Sequence, residues 1–258
     1  MNEATICLRK VGLWASEEAV DGLLKHAQTA KLSPLVLLEK LVEIEIRERD
    51  ARNLERRSRA ATLGKLTSMD KFDWAFPRSV DRSLIEHLLT VDFVSATPPA
   101  NVLLRGAAGV GKTTIAKNLG LAALQAGHTV RFSTLPNALA DLLRQESLPA
   151  VERRIKRYTT PDLLILDELG YVPADHRAAD LLFNIVSRRH EEKSTVITTN
   201  LPYKQWGTIF PGATCLSPLI DRFAEHCHVV DIDADSYRLN GPEAKKAKTK
   251  RRSRRSTR

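Results

Sequence analysis

A chain of 258 residues, 43% hydrophobic and 28% charged, holds enough apolar material for one α/β core of about 150 to 200 residues with a smaller unit beside it. No apolar run approaches the roughly 20 residues of a membrane-spanning helix, residues 1–10 lack the pattern of a secretory signal, and Cys7, Cys215 and Cys227 are too few and scattered for a disulfide framework, so a cytoplasmic protein without membrane association is expected. The net charge of +9 lies at one end: Lys245, Lys246, Lys248, Lys250, Arg251, Arg252, Arg254, Arg255 and Arg258 account for all of it, leaving residues 1–243 formally neutral.

The first predicted helix starts at Ser16, whose hydroxyl can cap while Glu17 and Glu18 suit the positive end of the helix dipole. Val20, Leu23, Leu24 and Ala27 follow at helical spacing. A second starts at Ser33-Pro34, an N-cap followed by proline at the first helical position, and continues through Leu35, Leu38, Leu41 and Val42. Beyond Ile46 it turns polar on every face. Glu45/Arg49, Glu48/Arg52 and Glu55/Arg59 are spaced to pair along it, and the stretch reads either as a solvated helix or as a surface for nucleic acid or a partner. Residues 1–66 are therefore expected to form a small all-α domain. Thr67 to Pro77 (TSMDKFDWAFP) loses the periodicity, gathers aromatics and ends in proline, so 67–100 reads as a linker leading into the core.

From there apolar runs alternate with helical patterns. Strands are predicted at Asn101–Arg105, Thr129–Ser133, Leu163–Asp167, Thr195–Asn200 and His228–Ile232, which gives an α/β core over 101–241 with a five-stranded parallel sheet flanked by helices. His226-Cys227-His228 matches no metal-binding spacing and is expected to be strand.

Gly106-Ala107-Ala108-Gly109-Val110-Gly111-Lys112-Thr113 fits G-x-x-x-x-G-K-[ST], with an apolar strand before it and a helical pattern after it. Average residue usage would produce this motif in only about 1% of chains this long. Glycines let backbone N–H groups turn toward phosphate oxygens, Lys112 reaches the outer phosphates and Thr113 ligates Mg²⁺. ATP and Mg²⁺ are thus the expected ligands. Hydrolysis needs a metal-ordering acid and a group that acts on water. Leu163-Leu164-Ile165-Leu166-Asp167-Glu168 ends a buried strand with both, Asp167 for the metal shell and Glu168 for the attacking water. Asn200 closes the next strand, where it would bond the γ-phosphate or lytic water, or simply tolerate the turn before Pro202. Ser217-Pro218 is expected to open a helix bearing Arg222, either a surface residue or a guanidinium that stabilises transferring-phosphoryl charge.

The motifs together resemble the IstB-like family, the ATP-binding transposition helpers of certain insertion sequences, related to the DnaC helicase loaders within the AAA+ ATPases. The resemblance rests on Phe72-Asp73-Trp74, GAAGVGKTT at 106–114, LLILDELGY at 163–171, TVITTN at 195–200, LIDRF at 219–223 and Ser236-Tyr237-Arg238, in that order. It implies that Arg222 is an arginine finger acting on a neighbouring copy's ATP, that Asn200 is a sensor, that Thr114 joins the phosphate loop, and that Phe72 and Asp73 lie near the adenine. It also implies two helices between the second core strand and the acidic strand, expected around Leu139–Arg144 and Val151–Tyr158. The second carries Arg153, Arg154, Lys156 and Arg157, which either track DNA phosphates or form an ordinary basic face. The few residues after the last strand leave no room for a full C-terminal lid, with Arg238 a substitute for the lid arginine. Residues 242–258 are expected to be a disordered basic tail, serving as DNA contact, solubilising terminus or nuclear address. The implied protein is an oligomer with ATP between subunits, nucleoid-associated, that binds double-stranded DNA and selects a target for its cognate transposase. The alternative is a replicative helicase loader.

Overall fold

The computed structural model describes residues 3–170, 176–234 and 236–237. It divides into two compact units, Met1–Arg59 and Ala60–Arg258.

The first unit is helical: α1 (Glu3–Lys10), α2 (Glu17–Ala30) and α3 (Pro34–Ala61), the last two residues of α3 belonging to the second unit. Ser16 caps α2, its hydroxyl accepting the Ala19 N–H at 3.4 Å. The charge pairs along α3 form as spaced: Arg49 to Glu45 at 3.0 Å, Arg52 to Glu48 at 3.4 Å, and Arg59 to Glu55. Two of these carboxylates also hold the loop before α2. Glu45 accepts the Trp14 N–H at 2.6 Å, and Glu48 accepts the Ser16 N–H and hydroxyl at 2.8 and 2.7 Å. The Ser16 hydroxyl is the main reason the Glu48 carboxyl is held below its ordinary pKa. Because the chain returns across this polar side of α3, Glu45 is buried while Leu35, Leu38, Val42 and Ile46 stand exposed.

In the second unit the chain order is β1 (Ser79–Val80), α4 (Arg82–Leu88), α5 (Asp92–Ser95), β2 (Asn101–Gly106), α6 (Lys112–Gln125), β3 (Val130–Thr134), α7 (Leu135–Leu143), α8 (Leu148–Thr159), β4 (Leu163–Leu169), α9 (His176–Arg189), β5 (Ser194–Thr199), α10 (Leu216–Ala224) and β6 (Cys227–Asp233). The unit starts before residue 66 because Ala61 and Leu63 are buried with the core and the Thr62 hydroxyl bonds the Phe132 carbonyl at 2.7 Å on β3. Residues 67–100 carry a short 3-10 turn at Met69–Lys71 and the elements β1, α4 and α5, which bury Ile85, Leu88, Phe93 and Val94.

The sheet runs β1-β6-β2-β5-β4-β3. Five strands are parallel, as the alternating pattern predicts, and the sixth, β1, adds antiparallel to β6 through Ser79↔Asp233 and Val80↔Ile232. A two-residue edge strand leaves no periodicity to read. Helices on both faces explain the unbroken apolar runs: Val102–Leu104 and Leu163–Leu166 have no exposed surface. Asn101 ties three elements at the base of β2, donating to the Phe223 carbonyl at the end of α10 (3.0 Å) and accepting the Thr195 N–H of β5 (2.9 Å). Arg189, 1% exposed, donates to the Thr195 hydroxyl and to the carbonyls of Tyr158, Thr159, Pro161, Asp162 and Ser194. It thereby satisfies the end of α8, where carbonyls have no donor within the helix.

One capping expectation is corrected. α10 begins at Leu216 with Cys215 at its N-cap, so Ser217 and Pro218 lie inside the first turn. The chain is already turning there, with the Leu216 N–H on the Ala213 carbonyl and the Leu219 N–H on that of Cys215. Proline is tolerated because first-turn N–H groups need no intrahelical acceptor.

A candidate phosphate-binding site at the C-terminal end of the sheet

Strands β2, β4 and β5 end together, and in open α/β sheets the ligand crevice lies outside these carboxyl ends. From β2 the chain enters the loop Gly106–Gly111 and then α6. Gly111 is the N-cap of α6 at φ +102°, and no side chain caps this helix end. A Cβ there would lie 2.6 Å from the Phe72 ring, so both the backbone angle and the space require glycine. The freed N–H groups and the helix dipole form an anion site.

The loop borders a cavity of about 350 Å³, within the size range of small-molecule sites. Its lining includes Ala108 to Thr114 together with Phe72, Asp73 and Glu168, all expected from the sequence. Lys112 is buried and donates to the carbonyls of Gly106 and Ala107 at 2.8 and 2.7 Å, so its ammonium stands at the loop where a phosphate's charge would be met. The Thr113 hydroxyl lies 3.1 and 2.9 Å from the two carboxylate oxygens of Asp167, which is 2% exposed. This set of oxygen donors suits Mg²⁺, which takes carboxylate and hydroxyl oxygens. Glu168 has φ +68°, a left-handed conformation that costs a non-glycine residue about 1–2 kcal/mol, and it is exposed at the cavity wall.

Sequence reasoning missed part of the lining: Thr67, Lys71, Phe76, Pro77, Thr198 and Tyr237. Phe76 and Tyr237 meet edge to face at 4.8 Å, as do Phe72 and Trp74, and the Tyr237 N–H bonds the Gly109 carbonyl at 3.1 Å. The cluster of aromatics in 72–76 was the available signal for this wall; Thr198 had only its place in TVITTN.

Asn200 and Arg222 are not among the lining residues. The Asn200 amide oxygen is beside Gly170, two residues beyond Glu168. Arg222 is exposed on α10, donates to the Ser187 hydroxyl at 2.5 Å and stacks 5.0 Å from the Phe183 ring centre on α9.

On α8 the four basic residues separate into two kinds. Arg154 grips Asp141 of α7 through Nε at 2.8–2.9 Å and Nη2 at 2.5 Å, Arg157 lies 3.9 Å from the same carboxylate, and the Tyr158 hydroxyl donates to it at 2.7 Å. The Arg154 bond is the main cause of the lowered Asp141 pKa. Arg153 and Lys156 are exposed, with no ion pair among the described residues. Arg238 and the basic residues from Lys245 to Arg258 lie outside the described residues, as does Tyr171.

No helix among the described residues is long and apolar enough to cross a membrane. The family model for IstB-like ATP-binding proteins matches residues 7–246. The chain is 32% identical over 239 residues to the "Insertion sequence IS21 putative ATP-binding protein" of Pseudomonas aeruginosa, covering 93% of this chain and 89% of that one. It is 29% identical over 233 residues to the corresponding protein of IS5376 from Geobacillus stearothermophilus, covering 90% and 92%. Among solved structures, DnaI matches 66% of this chain and 89% of its own with a TM-score of 0.53 at 16% identity. AMPPCP-bound DnaA from Aquifex aeolicus matches 64% and 52% with a TM-score of 0.50 at 18% identity. These likenesses show the AAA+ P-loop fold, and with a family match spanning nearly its whole length the chain belongs to the IstB-like ATP-binding proteins.

Proposed function

We propose that this protein is a Mg²⁺-dependent ATPase that binds double-stranded DNA as an oligomer and assists transposition by selecting target DNA and recruiting or stimulating the transposase. The observation that carries the enzymatic part is that Lys112, Thr113 and Glu168 line one cavity at the strand ends, with Asp167 accepting from the Thr113 hydroxyl behind that lining.

Lys112 would exchange its carbonyl partners for phosphate oxygens, and the amides from Gly109 to Thr114 would surround the same oxygens. Thr113 and Asp167 would hold Mg²⁺, which would supply positive charge against that developing on the transferring phosphoryl group. Glu168 would orient and deprotonate the attacking water, Asn200 would sense the γ-phosphate, and Phe72 and Asp73 would flank the adenine. Arg222, which rests on Ser187 and Phe183 and does not line its own chain's cavity, would complete the site of an adjacent copy. That arrangement couples nucleotide state to subunit contact. Many weak phosphate contacts from Arg153, Lys156 and the basic tail would then add through multivalency.

Glu168→Gln tests the reading. The variant is expected to bind ATP with wild-type affinity while phosphate release falls by about 100-fold or more, a general-base loss, and its DNA complexes should persist. Unchanged turnover in Glu168→Gln would overturn the assignment. Steady-state phosphate release with and without duplex DNA separates an ATPase from a coating protein that uses ATP only as an assembly ligand. Co-precipitation with purified transposase or replicative helicase separates the transposition helper from a helicase loader, whose core would look much the same.

A further inference from the structure

We infer that Thr198 is a positioning residue for the Asp167–Glu168 pair, its one hydroxyl fixing both the carboxylate beside Thr113 and the bent backbone from which Glu168 meets the cavity. The inference rests on the ATPase reading above and deepens it.

Strands β4 and β5 run in register up to Leu166↔Ile197 and again at Leu169↔Thr199, so Asp167 and Glu168 together stand opposite the single residue Thr198. This is a bulge, which leaves one residue without a ladder partner and re-aims its side chain. In an unbroken strand, successive side chains point to opposite faces, and Glu168 would leave the face that Asp167 serves. The left-handed turn at Glu168 breaks that alternation.

A bulge in a buried strand must also satisfy the amide it frees. Thr198 does so: its Oγ1 accepts the Glu168 N–H at 3.0 Å and donates its proton to Asp167 Oδ1 at 2.5 Å. Thr198 is 1% exposed yet borders the cavity, so solvent does not readily substitute for its hydroxyl. Its bond occupies Asp167 Oδ1, leaving Oδ2 as the nearer oxygen to Thr113 at 2.9 Å. Thr199 closes the other side of the bulge, donating to the Leu169 carbonyl at 2.8 Å and accepting the Leu201 N–H at 3.0 Å without touching either acid. The chemistry required at position 198 is therefore one group that accepts and donates at once. Serine retains this and valine, of nearly the same shape, does not.

The test uses the full chain as wild type, T198V and T198S. It measures affinity for a fluorescent ATP analogue across a Mg²⁺ titration, steady-state phosphate release and the melting temperature. T198V is expected to bind the analogue within about 3-fold of wild type, to need about 5-fold more Mg²⁺ for the metal-dependent gain in affinity, and to lose about 10-fold or more in kcat with KM little changed, the effect of one hydrogen bond at a reacting group. T198S is expected to restore both Mg²⁺ dependence and kcat. If T198V does not fold, T198A removes the hydroxyl without adding a methyl and gives the same comparison. Wild-type values for kcat and Mg²⁺ dependence in T198V would overturn the inference, as would an equal loss of both in T198S. Wild-type protein that binds nucleotide but releases no phosphate would refute the ATPase reading instead, and the Mg²⁺ titration of binding would still decide the role of Thr198.

Discussion

Replacing Arg189 by methionine removes the donor from six acceptors while retaining much of the apolar stem. Three of those bonds are fully buried, to the Thr195 hydroxyl and the carbonyls of Tyr158 and Ser194. The other three, to Thr159, Pro161 and Asp162, are partly buried and open to water as a substitute partner. Burial pushes the Arg189 guanidinium down to about 9, which leaves it charged at neutral pH. The threonine hydroxyl can rotate to another partner, whereas the two buried carbonyls cannot. Each such orphan costs about 1–3 kcal/mol, so the two together should cost about 2–6 kcal/mol. For a unit of Ala60–Arg258 this corresponds to a fall in melting temperature of roughly 10 °C. Calorimetric unfolding of wild type, Arg189→Met and Arg189→Lys at pH 7 measures it, the lysine variant falling between the others because its ammonium has fewer, less spread donors. A methionine variant melting within about 3 °C of wild type would show that water replaces the guanidinium freely and that Arg189 does not hold α8 to β5.

Arg222→Ala should retain nucleotide binding and melting temperature, since Arg222 is itself exposed and its partners are a half-buried serine and a ring face, yet lose about 1000-fold in DNA-stimulated turnover as a trans finger would; normal turnover would remove that role. The double variant Arg153→Ala/Lys156→Ala should weaken duplex binding and reduce the slope of log K against log salt by about 2, one step per lost phosphate contact, whereas an unchanged slope in fluorescence anisotropy would make α8 an ordinary basic face. The Tyr158 hydroxyl is pushed up to about 12, first by burial and then by its bond to Asp141. Its unfolded value is near 10, so the neutral phenol is favoured in the folded state. That stabilisation is complete below pH 10 and is lost as pH rises from 10 toward 12. Melting curves across this window should fall more steeply for wild type than for Tyr158→Phe, and parallel curves would refute the assignment.

Fixed backbone chemistry made much of this site legible from the sequence. A glycine-rich loop at a helix start demands glycine where φ is positive, and a parallel sheet covered on both faces demands unbroken apolar runs, so the five parallel strands and the places of Lys112 and Thr113 at the start of α6 and of Asp167 and Glu168 near the end of β4 could be read directly. Where one residue type fits several settings, the reading failed or stayed open. Ser217-Pro218 suits a helix start, yet the helix begins at Leu216. Arg154 looks like its neighbours on α8 until Asp141, thirteen residues away, is placed opposite it. Thr198 is an ordinary strand residue until the register slips beside it. Helix α1 has only eight residues, too few for a clear periodic signal. For Asn200 and Arg222 the residues alone left two readings open and the family pattern chose between them, because the contacts proposed for them involve groups beyond the chain's own fold.

The two rims of the sheet bear on how copies of this protein can associate. At β6 the last residues are already zipped to Ser79 and Val80, and at β3 the Phe132 carbonyl is taken by the Thr62 hydroxyl while Arg131 reaches the Ala60 carbonyl. An open rim of strand amides is a template for runaway strand-to-strand growth. With part of each rim occupied from within, less of the sheet edge is left open to pairing with a strand of any other chain.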